Sequence, residues 1–359
     1  MLQHKLSALL LHQPENIAWI SGYWHDGFFS YHSLVVPASG DPVLIERGLE
    51  QPVADEMSWL EDLRNYIDGE DPEALAAEAL KEVTAEGGQI GVEMTSAFLP
   101  VSRFQRLTSL LPQHTLVPHE DVVEESMRIK SAQEIEYIRQ AGVVASAAVQ
   151  AGLAAAQVGA NELDVAAAIA TAQAAHGHDS FMGSPGGTIC TGWRTNQLHP
   201  QQADKKLEAG DPVRLELPGI HRQYWAKQMR SAVLGGPGAE FARAYEVLRT
   251  SQDAGIAAME PGTPLSRIAE LTTRPVLDAG LVDNYENRIG YGMGLQFHPT
   301  SGDFGLDMTT RSTRTLEPGM VFHMLVFAAG AAISETVVVT ENGHEILTSG
   351  SREIPEVAR

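Results

Sequence analysis

Cysteine is almost absent from this sequence, since Cys190 is the only one among 359 residues. A single cysteine excludes an intrachain disulfide, and a chain without disulfides is compatible with the reducing cytoplasm. A lone cysteine is more often a small apolar packing residue than a nucleophile, because a nucleophilic thiol needs an activating group beside it. We therefore expect a cytoplasmic protein whose chemistry does not depend on Cys190.

Basic residues and long apolar runs are also scarce. The chain has 25 Lys and Arg residues against 46 Asp and Glu residues, which gives a formal net charge of −21. Nucleic-acid-binding surfaces need clustered positive charge, so this balance argues against a nucleic-acid partner. No apolar run approaches the ~18 residues of a membrane helix, and MLQHKLSALLLHQPEN at the start is too weakly apolar for a signal peptide. We expect neither nucleic acid nor a membrane as a partner.

The first third of the chain alternates between strand and helix patterns. IAWISGY and SLVVPASGDPVLIE are rich in β-favouring residues and are split by Gly, Pro and Asp, which predicts strands joined by turns. DPEALAAEALKEV has the spacing of an amphipathic helix, and GGQIGVE is typical of a short buried strand. This alternation predicts a small α/β domain over residues 1–123.

Two helices with clear N-terminal signals follow. SAQE is a capping box, with Ser131 as the cap and Glu134 three residues further on. A second helix is predicted to begin at Asn161, with Asp164 in its first turn, and to run to about His176.

The second domain, residues 124–359, contains a weak internal repeat. AAQVGANELDVAAAI resembles AMEPGTPLSRIAEL 103 residues further on, and LEAGDPVRLEL resembles LEPGMVFHMLV at an offset of 109 residues. Each half has helices followed by a Gly turn and a strand hairpin. This pattern predicts a pseudo-twofold domain with a central sheet and helices on its outer face. With the first domain, it gives the fold class as α/β (α+β).

The repeat also predicts which side chains lie together. It equates Glu216 with Leu325, and Arg214 with His323. Because side chains alternate across a strand, residues two apart share a face of the sheet. If the two strands pair about the pseudo-axis, His323 and Glu216 line one concave surface.

The order and spacing of these motifs resemble those of the pita-bread-fold family, which comprises M24 peptidases and creatinase-like enzymes. MRIKSAQEIEYIRQAG resembles the start of the helix that joins the family's two domains, and VVVTENGHEILT resembles its closing hairpin. The resemblance covers nearly the whole chain. It implies a creatinase-like N-terminal domain, a pita-bread catalytic domain, hydrolysis of a C–N bond and a homodimer.

Metal-dependent members of this family use two Asp, one His and two Glu as ligands. The resemblance puts these five positions at Glu216, Lys227, Tyr291, Leu325 and Ser334. A dinuclear centre needs several oxygen or nitrogen donors around each ion, and an ammonium has no lone pair to offer. The sequence therefore predicts no catalytic metal and no other cofactor.

Two metal-free members, creatinase and ectoine hydrolase, cleave C–N bonds at amidine-like carbons. PGMVFHMLVF followed by ISETVVVT resembles ectoine hydrolase most closely. The resemblance implies that Glu216 is the catalytic carboxylate and that His199 is the general acid/base, with His323 as the second choice. One departure is Ala332, where ectoine hydrolase carries an acidic residue, so the substrate is not fixed by the resemblance.

The residue chemistry agrees with this assignment. A carboxylate can pair with an amidinium cation or attack its carbon, and a histidine can transfer a proton near neutral pH. Glu335 is a further catalytic candidate, either to orient a histidine or to bind a substrate nitrogen; the alternative is that it points away from the pocket, because adjacent strand residues point to opposite faces. The predicted binding residues for a small-molecule substrate are Lys227, Arg230, Tyr291, Trp193, Trp24 and Phe28.

Two other functions stay open from the sequence. A peptidase related to the Xaa-Pro peptidases would need a rearranged metal site, with His298, His323, Glu216 and Glu335 as its available donors. A pseudoenzyme would bind a small ligand or peptide without turning it over. Dipeptide turnover that rises with added metal, or ligand binding without product, would distinguish these two from a metal-free hydrolase.

Overall fold

The computed structural model describes residues 1–25, 27, 29–119, 121–179, 187–297 and 303–357. The chain divides into two units, Met1–Met127 and Arg128–Arg359, whereas the sequence analysis set the division after residue 123. Each unit combines a β-sheet with α-helices, so the predicted α/β (α+β) class is confirmed. None of the helices within these described ranges is long and apolar enough to cross a membrane.

The first unit is built on a mixed sheet. In its described residues, six strands lie in the order β4-β3-β2-β1-β5-β6. The strands are β1 Ala8–Leu11, β2 Ser33–Pro37, β3 Val43–Arg47, β4 Asp62–Tyr66, β5 Gln89–Val92 and β6 Thr115–Pro118. The helices are α1 Pro14–Ser21, α2 Gln51–Met57, α3 Pro72–Val83, α4 Val101–Leu110 and α5 Asp121–Met127.

One prediction for this unit is wrong. The segment IAWIS was predicted as a strand, but it forms most of helix α1. Pro14 occupies the first helical turn, where its missing N–H costs nothing, and Gly22 ends the helix with a φ of 76°. These two boundary signals outweigh the β-propensity of the residues between them.

Glu46 on β3 makes the stability of this unit depend on pH. Its side chain is buried, and burial raises the pKa of its carboxyl to about 7; the nearby Tyr23 hydroxyl opposes this rise, while Glu50 and Asp55 add to it. A carboxyl whose pKa is higher in the folded than in the unfolded state stabilises the fold at pH values below its unfolded-state pKa. This contribution is lost as the pH rises through the folded-state pKa of about 7. We expect the free energy of unfolding of Glu46→Gln, measured relative to that of wild type, to increase by about 2–3 kcal/mol from pH 5 to pH 8.

Urea unfolding of both proteins at the two pH values measures this gain. Glu56→Gln is the matched control, because Glu56 is exposed on helix α2. A gain of Glu46→Gln over wild type that is the same at pH 5 and pH 8 would show that Glu46 does not titrate in this range.

The second unit has a larger sheet with two helices in each half. Within the described ranges, nine strands form it, in the order β11-β10-β12-β13-β9-β8-β7, with β14 paired to β13 and β15 to β9. The strands are β7 Thr188–Thr191, β8 Pro212–His221, β9 Tyr224–Leu234, β10 Gly290–Gly292, β11 Asp303–Met308, β12 Val321–Ala328, β13 Ala331–Thr340, β14 Gly343–Ile346 and β15 Glu356–Val357. The helices are α6 Ala132–Ala155, α7 Glu162–Ala175, α8 Ala239–Ala257 and α9 Leu265–Asp278.

The internal repeat predicted from the sequence is present in the hydrogen bonds. Between α6 and α7, the Gly159 N–H donates to the Leu207 carbonyl at 2.8 Å; between α8 and α9, the Gly262 N–H donates to the Leu316 carbonyl at 2.8 Å. Both glycines have a left-handed φ, +88° and +85°. The predicted capping box at Ser131 is confirmed for α6, and α7 starts after Asn161 as predicted, where the structure adds a second capping box with Asp164.

The sheet of the second unit has two different faces. Apolar residues such as Leu215 on β8 and Phe322 on β12 pack with the helices in the hydrophobic cores. The intervening residues of each strand point to the opposite face, because side chains alternate along a strand. Glu216, Lys227 and Leu325 all lie on that opposite face.

Candidate active site

A cavity of about 220 Å³ lies on the face of the sheet that the helices leave uncovered. Four predicted site residues line it: His199, Glu216, Lys227 and Tyr291. The other lining residues are Leu198, Met229, Tyr285, Asn287, Arg288, Leu325 and Phe327. The cavity thus contains one carboxylate, one imidazole and two cationic side chains.

Strand pairing brings the central groups of the cavity together. Glu216 on β8 pairs with Met229 on β9, and Met229 in turn pairs with Ser334 on β13. Ser334 pairs with Leu325 on β12. The sequence repeat equated Glu216 with Leu325, and this ladder places both on the walls of one cavity.

The Glu216 carboxylate is available to a ligand. The side chain is half-buried, and in the described part of the chain it makes no hydrogen bond or ion pair. A partly desolvated carboxylate that accepts no hydrogen bond has unused capacity to accept hydrogen bonds and to pair with a cationic ligand. An amidinium is a ligand of this kind.

Lys227 heads a chain of hydrogen bonds that leads into the protein interior. Its Nζ donates to the Tyr291 hydroxyl at 3.0 Å, and that oxygen is 2.9 Å from Nδ1 of His323. Nε2 of His323 is 2.6 Å from Oγ of Ser334. An ammonium can only donate, so the Tyr291 hydroxyl accepts from Lys227 and donates its own hydrogen to Nδ1 of His323. We therefore assign the hydrogen of the neutral imidazole to Nε2, which donates to Oγ of Ser334.

The charges in this chain follow from burial and from the neighbouring groups. Burial opposes the ammonium of Lys227, but Tyr291 and the Glu216 carboxylate outweigh burial and raise the pKa of Lys227 above its ordinary value. Burial lowers the pKa of His323 well below its usual value, and the cations of Lys227 and Arg288 lower it further. Lys227 is therefore a permanent cation near neutral pH, and His323 is a neutral imidazole.

His323 does not line the cavity, although the sequence analysis placed it on the same concave surface as Glu216. It is fully buried behind Tyr291, and both ring nitrogens are engaged. A group with such a low pKa is a poor proton carrier at neutral pH. The geometry makes His323 a support for Tyr291 and Lys227.

Arg288 is a cavity residue that the sequence analysis missed. Its guanidinium carbon lies 4.1 Å from the centre of the Tyr291 ring, and the side chain pairs with Asp307 at 2.5 Å. Arg288 lies two residues before β10 in a segment without regular structure. The only signal in the sequence was its position three residues before Tyr291.

His199 is on the rim of the cavity. The residue is exposed and lies in the segment between a short 3₁₀ helix, Gly192–Asn196, and strand β8. Trp193, a predicted binding residue in that 3₁₀ helix, is 72% exposed and does not line the cavity. The structure therefore brings His199 to Glu216 and Lys227, but leaves Trp193 in solvent.

Glu335 and Arg230 do not lie where the sequence analysis expected. Arg230 is three residues from the cavity-lining Lys227, and Glu335 directly follows Ser334, which pairs with the cavity-lining Leu325. Because side chains alternate along a strand, both Arg230 and Glu335 point to the helix-covered face. There they form a buried ion pair of 2.6 Å, and Arg230 also donates to the backbone carbonyls of Ser334 and Ser351. We correct their assignment from catalysis and substrate binding to structural support of the second unit.

Three further residues were nominated by the sequence analysis. Trp24 is half-buried in the first unit. Phe28 and His298 lie outside the described residues.

The fold and the cavity together define a hydrolase scaffold for C–N bonds. Residues 136–341 match the family model of metallopeptidase family M24, and residues 1–129 match that of the creatinase/prolidase N-terminal domain. The chain belongs to the metallopeptidase family M24 and is a hydrolase that acts on C–N bonds.

Several known proteins are similar to this chain over almost its full length. An ectoine hydrolase from Halomonas elongata is 25% identical, with 99% of this chain and 94% of the relative covered. An uncharacterized hydrolase/peptidase, y4tM, from Sinorhizobium fredii is 28% identical over the same shares. The dipeptidase PepE from Mycobacterium ulcerans has a TM-score of 0.83 at 26% identity, with 99% of this chain and 95% of that chain covered. A prolidase from Pyrococcus horikoshii, at 22% identity and a TM-score of 0.85, covers 99% and 97% and shows the same fold.

The family implies metal ions, but the residues of the cavity do not fit them. Glu216 is the only carboxylate that lines the cavity among the described residues, and Lys227, Tyr291 and Leu325 surround it. A cation beside the fixed ammonium of Lys227 would be repelled, and leucine offers no donor atom. Across the ranges that the structure describes, no group of three or more His, Cys, Asp and Glu side chains is arranged to hold a metal ion.

Proposed function

We propose that this protein hydrolyses a C–N bond in a small cyclic amidine or guanidine-like compound without a metal ion, with ectoine as the lead candidate. We further propose that it works in the cytoplasm as a homodimer. The observation that carries the proposal is the free Glu216 carboxylate, which shares one cavity with the His199 imidazole and the Lys227 ammonium. The 25% identity to an ectoine hydrolase over almost the whole chain supports the choice of substrate.

The charges of the cavity favour a substrate with two opposite ends. A cationic amidinium would lie against Glu216, where charge-assisted hydrogen bonds are strongest. A carboxylate on the same molecule would lie against Lys227 and Arg288, both of which line the cavity. The volume of about 220 Å³ equals that of roughly seven liquid water molecules, which suits a small zwitterion. Ectoine, a cyclic amidine that carries a carboxylate, has this chemistry.

The proposed reaction is the addition of water across the amidine carbon followed by loss of an amine. The Glu216 carboxylate acts on the cationic carbon in one of two ways: it pairs with the carbon while water adds, or it adds to the carbon itself, in which case the amine leaves from the adduct and water then cleaves the glutamyl bond and restores the carboxylate. His199 takes a proton from water as the C–O bond forms, and returns it to the nitrogen as the C–N bond breaks. Lys227 remains charged throughout and takes no proton, because its pKa lies above the ordinary lysine value.

Lys227→Met tests the substrate's carboxylate. Losing one charge-assisted hydrogen bond costs about 1.5–3 kcal/mol, so we expect KM for ectoine to rise about 10- to 100-fold. For an amidine that lacks the carboxylate, wild type and variant should have nearly equal kcat/KM. Comparing the two enzymes on the two substrates forms a double-mutant cycle, which isolates the contact between Lys227 and the carboxylate. Lys81→Met, which removes an exposed lysine of helix α3, is the control. An equal loss on both substrates would remove Lys227 from carboxylate binding.

Incubation with ectoine, creatine and Xaa-Pro dipeptides, each with and without a chelator, tests the proposed function. We expect product from an amidine or guanidine compound, at a rate that chelation does not change. Dipeptide turnover that rises with added Mn or Co would instead favour a peptidase with a rearranged metal site. Ligand-induced thermal stabilisation without product, from any of these compounds, would favour a non-catalytic binding protein.

A further inference from the structure

We propose that Arg214 is a positioning residue that holds His199 at the cavity. The role of Arg214 as a clamp on the chain segment rests on geometry alone. Its consequence for turnover rests on the proposed function, because that function makes His199 the proton carrier.

The clamp consists of hydrogen bonds to the residues directly before His199. Arg214 is fully buried on β8 and lies two residues before Glu216, on the same face of the strand. Its Nη2 donates to the backbone carbonyl of Gln197 and, at 2.9 Å, to that of Leu198. One guanidinium group thus fixes the path of the chain immediately before the imidazole.

The same guanidinium also supports the wall of the cavity. Its central carbon lies 4.7 Å from the ring centre of Phe327, a cavity-lining residue, and its Nε is 3.2 Å from Sγ of Cys190. Arg214 therefore connects the His199 segment, an aromatic wall and the neighbouring strand β7. A change at Arg214 alters the position of His199 relative to Glu216.

The buried guanidinium of Arg214 contributes little to the stability of the fold. In the described part of the chain its hydrogen bonds go to two backbone carbonyls and to Sγ of Cys190 rather than to a carboxylate, and its buried Nη1 makes no hydrogen bond. A buried cation without a counter-charge pays a large desolvation cost, and well-packed apolar residues usually serve stability better. The presence of such a group beside the cavity favours a positioning role.

The far side of the segment is anchored separately. Arg194 donates to the Gln201 carbonyl at 2.7 Å and pairs with Glu162, a buried residue of helix α7. Glu162 also accepts the Ala203 N–H at 2.8 Å. His199 is exposed between these two anchored stretches, so its position depends on its neighbours rather than on contacts of its own.

Hydrogen exchange on the full chain tests the clamp without any assay of activity. The reporter is the Gln197 amide, which donates to the Arg194 carbonyl at 2.8 Å. In Arg214→Lys the charge remains but the planar fork that holds two carbonyls is lost, so we expect this amide to exchange at least about tenfold faster. Arg230→Lys is the matched control, because Arg230 is a buried arginine on the next strand that also binds backbone carbonyls.

Unchanged exchange at Gln197 in a folded Arg214→Lys protein would overturn the clamp. Should Arg214→Lys fail to fold, Arg214→Gln, which keeps one donor group, carries the same expectation. Accelerated exchange in Arg230→Lys as well would show a general loss of stability, and would also overturn the specific role of Arg214.

A double-mutant cycle then tests the consequence for turnover. We expect Arg214→Lys to lower kcat about 100-fold with little change in KM, because small misplacements of a catalytic group cost rates of this order. In a His199→Ala background the same substitution should have no further effect on kcat. Additive losses would show that Arg214 does not act through His199. If no amidine or guanidine is turned over at all, the proposed function fails while the exchange result still decides on the clamp.

Discussion

We expect Glu216→Gln to lower kcat by about 10³-fold or more, while the protein remains folded. The substitution removes the negative charge that pairs with the amidinium, and it also removes the nucleophile if the carboxylate attacks. Losses of this size are typical when a group that acts on the reacting atoms is removed. Stability should fall only slightly, because the Glu216 side chain makes no hydrogen bond or close ion pair in the described part of the chain, and only its attraction to the Lys227 ammonium is lost.

Steady-state kinetics with a thermal melt of each protein measures both effects. Glu208→Gln is the matched control, because Glu208 is exposed in the turn before β8 and does not line the cavity. Undiminished turnover by Glu216→Gln would remove Glu216 from the mechanism. Label in the Glu216 side chain after a single turnover of the wild-type enzyme in ¹⁸O-water would show a covalent glutamyl intermediate that water opens at the side-chain carboxyl carbon.

Glu335→Gln has a large effect of the opposite kind, on stability. The substitution leaves the buried guanidinium of Arg230 without its full counter-charge at 2.6 Å. Removing one partner of a buried pair costs about 3–5 kcal/mol, because the remaining charge stays desolvated. Arg352, whose Nη1 is 3.5 Å from Glu335, loses a weaker contact at the same time.

Urea unfolding measures the loss, and Asp278→Asn provides the control. Asp278 pairs with Arg274 at the end of helix α9, where both side chains are exposed, and such pairs contribute at most about 1 kcal/mol. A Glu335→Gln protein with wild-type stability but no turnover would contradict the structural role. It would return Glu335 to the catalytic site, as the sequence analysis first proposed.

Much of the fold was predictable because its signals are local. The capping box at Ser131 and the helix start at Asn161 were each predicted from four consecutive residues, and both are confirmed. The repeat was legible because each half needs a left-handed glycine at the same turn, as at Gly159 and Gly262. The error at IAWIS came from weighing β-propensity above the boundary signals of Pro14 and Gly22.

The cavity was predictable where the argument used strand position. Glu216 and Lys227 were placed through motif positions on strands, and both line the cavity. Arg230 was misplaced because the alternation of side chains was not applied to it; for Glu335 the alternation had left a position away from the pocket open, and the structure shows that position. Arg230 is three residues from Lys227, and Glu335 follows Ser334, so both face the helices.

The remaining site residues depend on tertiary structure. Arg288 reaches the cavity from an irregular segment before β10, where no periodicity predicts the direction of a side chain. Arg214 was assigned to the correct face, but its contacts with Gln197 and Leu198 join residues 16 and 17 positions away. No local pattern in the sequence encodes such a contact.

The most direct test of metal-free catalysis measures metal content and turnover on the same preparation. The protein is purified from medium that contains Mn, Zn, Fe and Co, is divided before and after chelation, and is analysed for metals and for ectoine hydrolysis. The cavity chemistry, with an ammonium fixed beside the single carboxylate, predicts metal far below one atom per chain and equal turnover in both halves. Near-stoichiometric metal that chelation removes together with the activity would contradict it.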